Sequence, residues 1–101
     1  MIIINMNEGP KIPYEVLGTK IIFDDDLMLN LAKRQGDEPV HIDICYNSAN
    51  QLITGTQDAK AYVAQLDIPE REYEEPEGED EPPIPLPLDM DKVTLTLWAI
   101  E

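Results

Sequence analysis

The chain has 101 residues with 43% hydrophobic content, which fits a single domain with one modest core. Its 21 acidic and 7 basic side chains give a formal net charge of -14, which argues against direct nucleic-acid binding and against binding to anionic membranes. The single cysteine, Cys45, cannot form an internal disulfide, and no segment has the features of a signal peptide or membrane span, so we expect a cytoplasmic protein.

The start of the chain predicts short strands separated by turn residues. Ile2 to Met6 forms the first strand, and Asn7-Glu8-Gly9-Pro10 supplies the turn that ends it. Two β-prone segments follow, Tyr14 to Leu17 and Thr19 to Phe23. Gly18 between them fits either a hairpin turn or a bulge within one longer strand, and the sequence leaves both open.

The segment from Leu27 to Lys33 admits two interpretations. Leu27, Leu29 and Leu31 alternate at strand period, which we prefer because the neighbouring segments are strands. A short helix is the alternative, with an aspartate N-cap before it and Gly36 beyond its end. The preceding triple aspartate, residues 24–26, lacks the spacing and glycine of a calcium-binding loop, so we interpret it as a solvated turn.

The middle of the chain predicts an antiparallel meander. After Pro39, apolar residues alternate with polar ones up to Tyr46, as in a half-buried strand. Gln51 to Thr54 forms a short return strand between two turns. Lys60 to Ile68 forms another long strand, with Tyr62, Ala64, Leu66 and Ile68 facing inward and Ala61, Val63, Gln65 and Asp67 facing outward.

His41, Asp43 and Cys45 lie on one face of that half-buried strand, about 6.6 to 6.8 Å apart, so a zinc site or a Cys-His pair has to be considered. A zinc site needs a fourth ligand, and the chain has no second Cys or His. The same-strand spacing also holds the histidine too far away to activate the thiol. We therefore predict a surface histidine, a buried cysteine, no metal and no cofactor.

The stretch from Lys92 to Ile100 predicts the strand around which the rest of the sheet is assembled. Both of its faces carry residues that suit a pleated surface, with Trp98 on the same face as Thr94 and Thr96. Because both faces can be covered, we expect this strand in the sheet interior, paired antiparallel with Lys60 to Ile68.

The composition changes sharply between Glu70 and Asp89, where acidic residues and prolines alternate; we call residues 70–89 the acidic segment. Charge repulsion and the scarcity of apolar side chains predict an exposed, extended loop before the last strand. We expect the acidic segment mainly to keep the protein soluble, and binding to a partner is the alternative. The candidate partner-binding residues are Glu70, Glu72, Glu74, Glu75, Glu77, Glu79, Asp80 and Glu81.

No catalytic signature is present in the sequence. There is no Gly-rich phosphate loop, no nucleophile elbow and no zinc-type histidine spacing, and 21 acids make any pair of carboxylates uninformative. We therefore predict a protein that is not an enzyme.

A set of short motifs spread over most of the chain resembles the small acidic hypothetical proteins carried by phages and integrative elements of anaerobic Gram-positive bacteria. That family has no assigned activity or functional residues, so the resemblance implies only an accessory protein of a mobile element. The motifs are Asn5-Met6, Glu8-Gly9, Pro13-Tyr14, Pro39 to Cys45, Tyr62-Val63-Ala64, Asp67 to Tyr73 and Asp91 to Trp98.

These patterns predict a single all-β domain, an antiparallel sandwich or small barrel of six to eight strands. The leading functional hypothesis is a non-enzymatic interaction or accessory module of a phage or mobile element, with another protein as its partner. The alternative is an acidic DNA-mimicking inhibitor of a nucleic-acid-processing host enzyme, because Glu70, Glu72 and Glu74 repeat at strand period.

Overall fold

The structure is a computed structural model, and it describes residues 1–75, 78 and 81–100. Strands account for 47% of the described residues, which include one α-helix, α1 (Leu31–Arg34), and one 3₁₀ turn, Met90–Lys92. The prediction of an all-β protein is confirmed. The strands are β1 (Ile2–Asn5), β2 (Tyr14–Leu17), β3 (Lys20–Phe23), β4 (Leu27–Asn30), β5 (Val40–Asn47), β6 (Leu52–Thr54), β7 (Ala59–Ile68), β8 (Tyr73–Glu74), β9 (Ile84–Pro85) and β10 (Thr94–Leu97).

Five strands form the larger sheet, in the order β1-β10-β7-β5-β6. Strand β10 lies inside this sheet and pairs antiparallel with β7, for example Leu95 with Leu66, as the sequence predicted. Its other neighbour, β1, runs parallel to it, with Ile3 beside Leu95. All other strand pairs among the described residues are antiparallel. The β1-β10 pair is therefore the one departure from the antiparallel pairing that the sequence predicted.

A second sheet consists of the meander β2-β3-β4. Gly18 forms the turn of the β2-β3 hairpin with a φ of 62°, so the hairpin alternative is correct and the bulge is not. The three aspartates form the next turn, between Phe23 and Leu27, where Asp24 and Asp25 also have positive φ. Aspartate tolerates this left-handed conformation better than most residues, which suits it to the turn.

Both sheets contribute to one hydrophobic core. Phe23 and Ile21 of β3 are fully buried, as are Leu95 of β10 and Leu66 of β7. The strand period explains the selection in β3, where Ile21 and Phe23 are buried while Lys20 is exposed. The whole core cluster is Ile12, Ile21, Phe23, Leu29, Leu31, Ile42, Ile44, Val63, Ala64, Leu66, Ile68, Val93, Leu95 and Leu97.

The predicted alternation of β7 is wrong at its start, because a register shift interrupts its pairing with β5. Ile44 pairs with Ala64 but the next residue of β5 pairs with Tyr62, so Val63 is an extra residue on β7. Val63 and Ala64 are consequently both buried, whereas Tyr62, expected to face inward, is exposed.

The last strand is shorter than predicted. Residues 90–92 form the 3₁₀ turn, in which the Asp89 side chain accepts a hydrogen bond from the Asp91 N–H, and β10 ends at Leu97. Trp98 therefore lies beyond the strand and is only half-buried. After it the backbone bonds to the first turn instead, since the Ala99 N–H donates to the side chain of Asn7 at 2.7 Å.

Two further segments differ from the sequence interpretation. The stretch 27–33 combines both alternatives, because strand β4 is followed at once by the one-turn helix α1. The acidic segment contains the two-residue strands β8 and β9, which pair with each other. The described part of the chain thus has ten strands against the six to eight expected, and eight of them form the two larger sheets.

Candidate interaction surface

His41 and Asp43 lie on the face of the larger sheet that points away from the β2-β3-β4 meander; we call it the outer face. Opposite them on β7 are Asp67 and Gln65, respectively. His41 Nδ1 is 2.6 Å from an Asp67 oxygen and Nε2 is 2.9 Å from an Asp43 oxygen. Gln65 donates to the same Asp43 oxygen at 2.9 Å. The four side chains form a hydrogen-bonded cluster across two strands.

The cluster shifts the proton affinities of its members. Hydrogen bonds to the carboxylate of Asp67 and then to that of Asp43 raise the pKa of His41 above its usual 6.5. The Gln65 hydrogen bond, followed by that of His41, lowers the pKa of Asp43 below 3.8. Both changes favour a protonated imidazole held between carboxylates. With both ring nitrogens engaged, the arrangement acts as a cross-strand brace.

Cys45 does not join this cluster. Its side chain is fully buried, and burial, followed by the charge of Asp43, raises the pKa of its thiol above 9.0. A thiol that resists ionisation is a poor nucleophile and a poor metal ligand. Among residues 1–75, 78 and 81–100, no group of three side chains is arranged to hold a metal ion.

The triple aspartate lies in an exposed turn, and its negative charges affect the proton affinity of a residue on β5. Burial, and after it the charges of Asp24 and Asp26, raise the pKa of Tyr46 on β5 above 10.0. The turn therefore adds negative potential at this end of the molecule, in agreement with its interpretation as a solvated turn.

All eight candidate partner-binding residues lie in the acidic segment, and the structure describes five of them. These five are all exposed: Glu70, Glu72, Glu74, Glu75 and Glu81. Glu77, Glu79 and Asp80 lie outside the described residues.

Part of the acidic segment is an ordered ladder. Glu74 pairs with Ile84 across β8 and β9, and the N–H of Leu86 donates to the carbonyl of Glu72 at 2.8 Å. Because strand side chains alternate, Glu72, Glu74, Ile84 and Leu86 share one face, whereas Tyr73 lies on the other. This face therefore places two carboxylates beside two aliphatic side chains.

The base of the ladder is fixed to the body by several contacts. The Arg71 N–H donates to the carbonyl of Gly36 at 2.8 Å, and the Arg71 guanidinium donates to the carbonyl of Gln35 at 2.8 Å. The hydroxyl of Tyr73 bonds to Asp37. These contacts tie the ladder to the segment that follows α1.

An ion pair adds to this attachment from the other side. Lys92 lies 2.8 Å from Glu72, and this hydrogen bond is the first cause of a raised pKa for Lys92. The ion pair connects the start of β8 to the 3₁₀ turn before β10.

The exposed apolar residues of the ladder were missed by the sequence analysis. Ile84 is 51% exposed, Tyr73 44% and Leu86 37%. The sequence did contain a signal, since Ile84, Leu86 and Leu88 alternate with prolines after a run of acids. Composition alone, which classes the segment as a charged linker, obscures it.

A groove of about 710 Å³ opens near the start of β7, between Lys60, Tyr62 and Ile100. Trp98 packs near it against Tyr62, with ring centroids 6.2 Å apart. The ammonium of Lys60 donates to the side chain of Asn50 at 2.9 Å, so the cation at its rim is engaged. None of the described residues of the acidic segment lines this groove.

The described part of the chain contains no helix with the length and apolar character needed to cross a membrane. Comparisons with protein-family models, with curated proteins and with solved structures found no match.

Proposed function

We propose that this chain is a non-enzymatic protein-protein interaction module, an accessory protein of a phage or mobile element, that acts in the cytoplasm. The observation that supports it best is the face of the β8-β9 ladder on which Glu72 and Glu74 lie beside Ile84 and Leu86. Protein interfaces combine apolar anchors with a polar rim, and this face offers both.

The attachment of the ladder also favours binding. A segment that is already held in a strand conformation loses less conformational entropy on binding than a free linker would. The contacts of Arg71 and Lys92 supply that restraint at the base of the ladder. The acidic segment is therefore proposed to be a binding element in addition to a solubilising one.

The charge of the molecule restricts the partner. With a net charge of -14, complementarity favours a protein with a basic rim around an apolar pocket, and disfavours nucleic acid and anionic lipid. We further propose that the two larger sheets form a sandwich, which carries the ladder as a rigid support.

The direct test is comparative affinity capture from the organism that carries the gene. The binding variant replaces Ile84 and Leu86 with serine, and the control variant replaces Val16 and Leu17, which are comparably exposed on β2. We expect proteins captured by the wild type and by the control to be lost with the binding variant. Identical capture by all three would contradict the proposal.

A second candidate function is a DNA-mimicking inhibitor of a nucleic-acid-processing enzyme. It is favoured by the placement of Glu72 and Glu74 on one exposed face, about 6.6 to 6.8 Å apart along an extended strand, in the range of phosphate spacing. Mimicry predicts that partner affinity falls steeply with salt and that DNA competes for the partner. It also predicts a greater loss of affinity from Glu74→Gln, which leaves the Glu72–Lys92 ion pair in place, than from the serine substitutions. An affinity insensitive to salt would exclude it.

A further inference from the structure

One of the two edge strands of the larger sheet is β1, and it has apolar residues on both faces. Ile2, Ile3 and Ile4 are 51%, 40% and 43% exposed, and Met6 just beyond is 50% exposed. Along the described chain, β1 pairs with β10 alone. One side of its backbone therefore faces no other strand of the molecule.

The hydrogen bonds between β1 and β10 show which backbone groups of β1 point away from the sheet. The N–H groups of Ile2 and Met6 donate to the carbonyls of Val93 and Leu97, at 2.8 and 3.0 Å. Because consecutive residues of a strand point their N–H and C=O groups to opposite sides, those of Ile3 and Asn5 point outward. Such a row of donors and acceptors is satisfied by another strand.

This edge lacks the features by which proteins protect edge strands. It contains no proline, charged side chain or bulge, and the first charged side chain along the chain is Glu8. By contrast, β2, an edge strand of the smaller sheet, carries the charged residue Glu15. Strand β6, the second edge strand of the larger sheet, is only three residues long, and short edge strands offer little to pair with. The contrast distinguishes β1 as a surface suited to pairing.

We propose that β1 pairs antiparallel with β1 of a second copy of this chain, about a two-fold axis at Ile4. In this register Ile3 of each copy lies opposite Asn5 of the other, so their outward groups form four hydrogen bonds. Ile4 then lies opposite its own counterpart, and Ile2 lies opposite Met6. The side chains of Ile2, Ile4 and Met6 thereby contact those of the second copy at the same time as the outward backbone groups are paired.

A second copy fits this edge because the edge is its own complement. The occupant must be an extended segment with apolar side chains at alternate positions and no charge among them, and β1 has these properties. A two-fold axis turns one such strand into a matching pair. The shared charge of -14 opposes association, and a single strand edge is a small interface, so the dimer is weak and strengthened by salt.

The test is sedimentation velocity on the full chain over a range of concentrations, at low and high sodium chloride. We expect the dimer fraction to rise with concentration and with salt. This salt response is opposite in sign to that of a basic partner bound through the acidic segment, so failure of this inference and failure of the proposed function are distinguishable. A chain that remains monomeric under all conditions would overturn the inference.

Two substitutions locate the interface. Ile3→Pro removes an outward N–H and leaves the hydrogen bonds of Ile2 and Met6 to β10 in place, as edge strands tolerate. Ile4→Lys adds a charge at the axis, and Val16→Lys on β2 is its control. We expect Ile3→Pro and Ile4→Lys to weaken the dimer at least about tenfold, and Val16→Lys to leave it unchanged. Equal weakening by both lysine variants would overturn the assignment.

Amide chemical shifts give a measurement that needs no variant. The Ile3 and Asn5 amide signals of the wild type should move with protein concentration, whereas that of Ile2, already bonded to β10, should move less. Absence of these shifts in a dimerising sample would overturn the proposed register. Shifts seen only on addition of an unrelated apolar peptide would overturn a second copy as the occupant.

Discussion

The imidazole of His41 bridges two carboxylates across the β5-β7 pair, with Nδ1 2.6 Å from Asp67 and Nε2 2.9 Å from Asp43. The raised pKa of His41 means that the folded state binds its proton more tightly than the unfolded state does. The cluster should therefore stabilise the fold below the usual pKa of 6.5, and this contribution should be lost as pH rises through the raised pKa of the folded state.

A comparison of His41→Gln with the wild type tests this pH dependence. Because the ring is half exposed, we expect a loss of only about 0.2 to 1 kcal/mol near pH 5.5, and a smaller loss near pH 9. Denaturant titrations at the two pH values measure it. A loss that is larger at the higher pH would show that the imidazole is not bound in its charged form.

The same cluster predicts an order for two carboxylate substitutions. Asp67→Asn should lower the pKa of His41 more than Asp43→Asn does, since the Asp67 hydrogen bond is the largest cause of the raised pKa. The chain has a single histidine, so one-dimensional NMR of the ring protons follows it directly. The reverse order would mean that the tighter contact is made to Asp43.

Cys45 should be alkylated much more slowly than free cysteine in the folded protein. Its side chain is fully buried, and burial raises the pKa of its thiol, so both access and ionisation oppose reaction. The measurement is the rate of iodoacetamide modification with increasing urea, which should rise at the unfolding transition. Fast modification without denaturant would contradict this placement.

Much of the fold follows from the alternation of apolar residues in single strands. Strand β5 shows it clearly, because Ile42 and Ile44 are buried while His41 between two core-facing positions is exposed, as predicted. The pairing of β7 with β10 was also predicted, since the stretches 60–68 and 92–100 both have strand-forming residues on two faces. These inferences start from the pattern of residues within each strand.

The features that sequence analysis missed depend on contacts between distant segments. Val63 is buried because a bulge changes its register against β5, and no property of β7 alone indicates that shift. Trp98 lies beyond β10, although its N–H still donates to the carbonyl of Val63 on β7 at 3.1 Å, and its successor bonds to Asn7, which is 92 positions away along the chain. For the candidate site, the acids were named from composition, whereas the aliphatic residues beside them became visible only with the β8-β9 register.

Phe23 should be among the side chains on which stability depends most. It is fully buried on β3 in the core to which both sheets contribute, so Phe23→Ala removes transfer free energy and leaves a cavity, at a cost of about 3 to 5 kcal/mol. Met28→Ala on the adjacent β4 is the control, because this side chain is 55% exposed and should cost little. Equal losses in urea titrations would place the core elsewhere.

The acidic segment should be dispensable for folding. Replacing residues 74–84 with a short Gly-Ser linker removes six of the 21 acidic side chains and the exposed Ile84, while it keeps Glu72 and Tyr73 and their contacts with Lys92 and Asp37. Loop closure costs little for such a change, and less like-charge repulsion remains. We expect the free energy of unfolding to stay within about 0.5 kcal/mol of the wild type or to rise.

Urea titrations of this linker variant and of Phe23→Ala allow their losses in free energy of unfolding to be compared. The two changes separate charge from packing, because the described side chains that the first removes are exposed and the second removes one that is fully buried. If the linker variant loses stability comparable to that of Phe23→Ala, the β8-β9 ladder contributes to the folded core. Its exposed aliphatic side chains would then serve the fold, and the argument for a binding surface on Ile84 and Leu86 would fail.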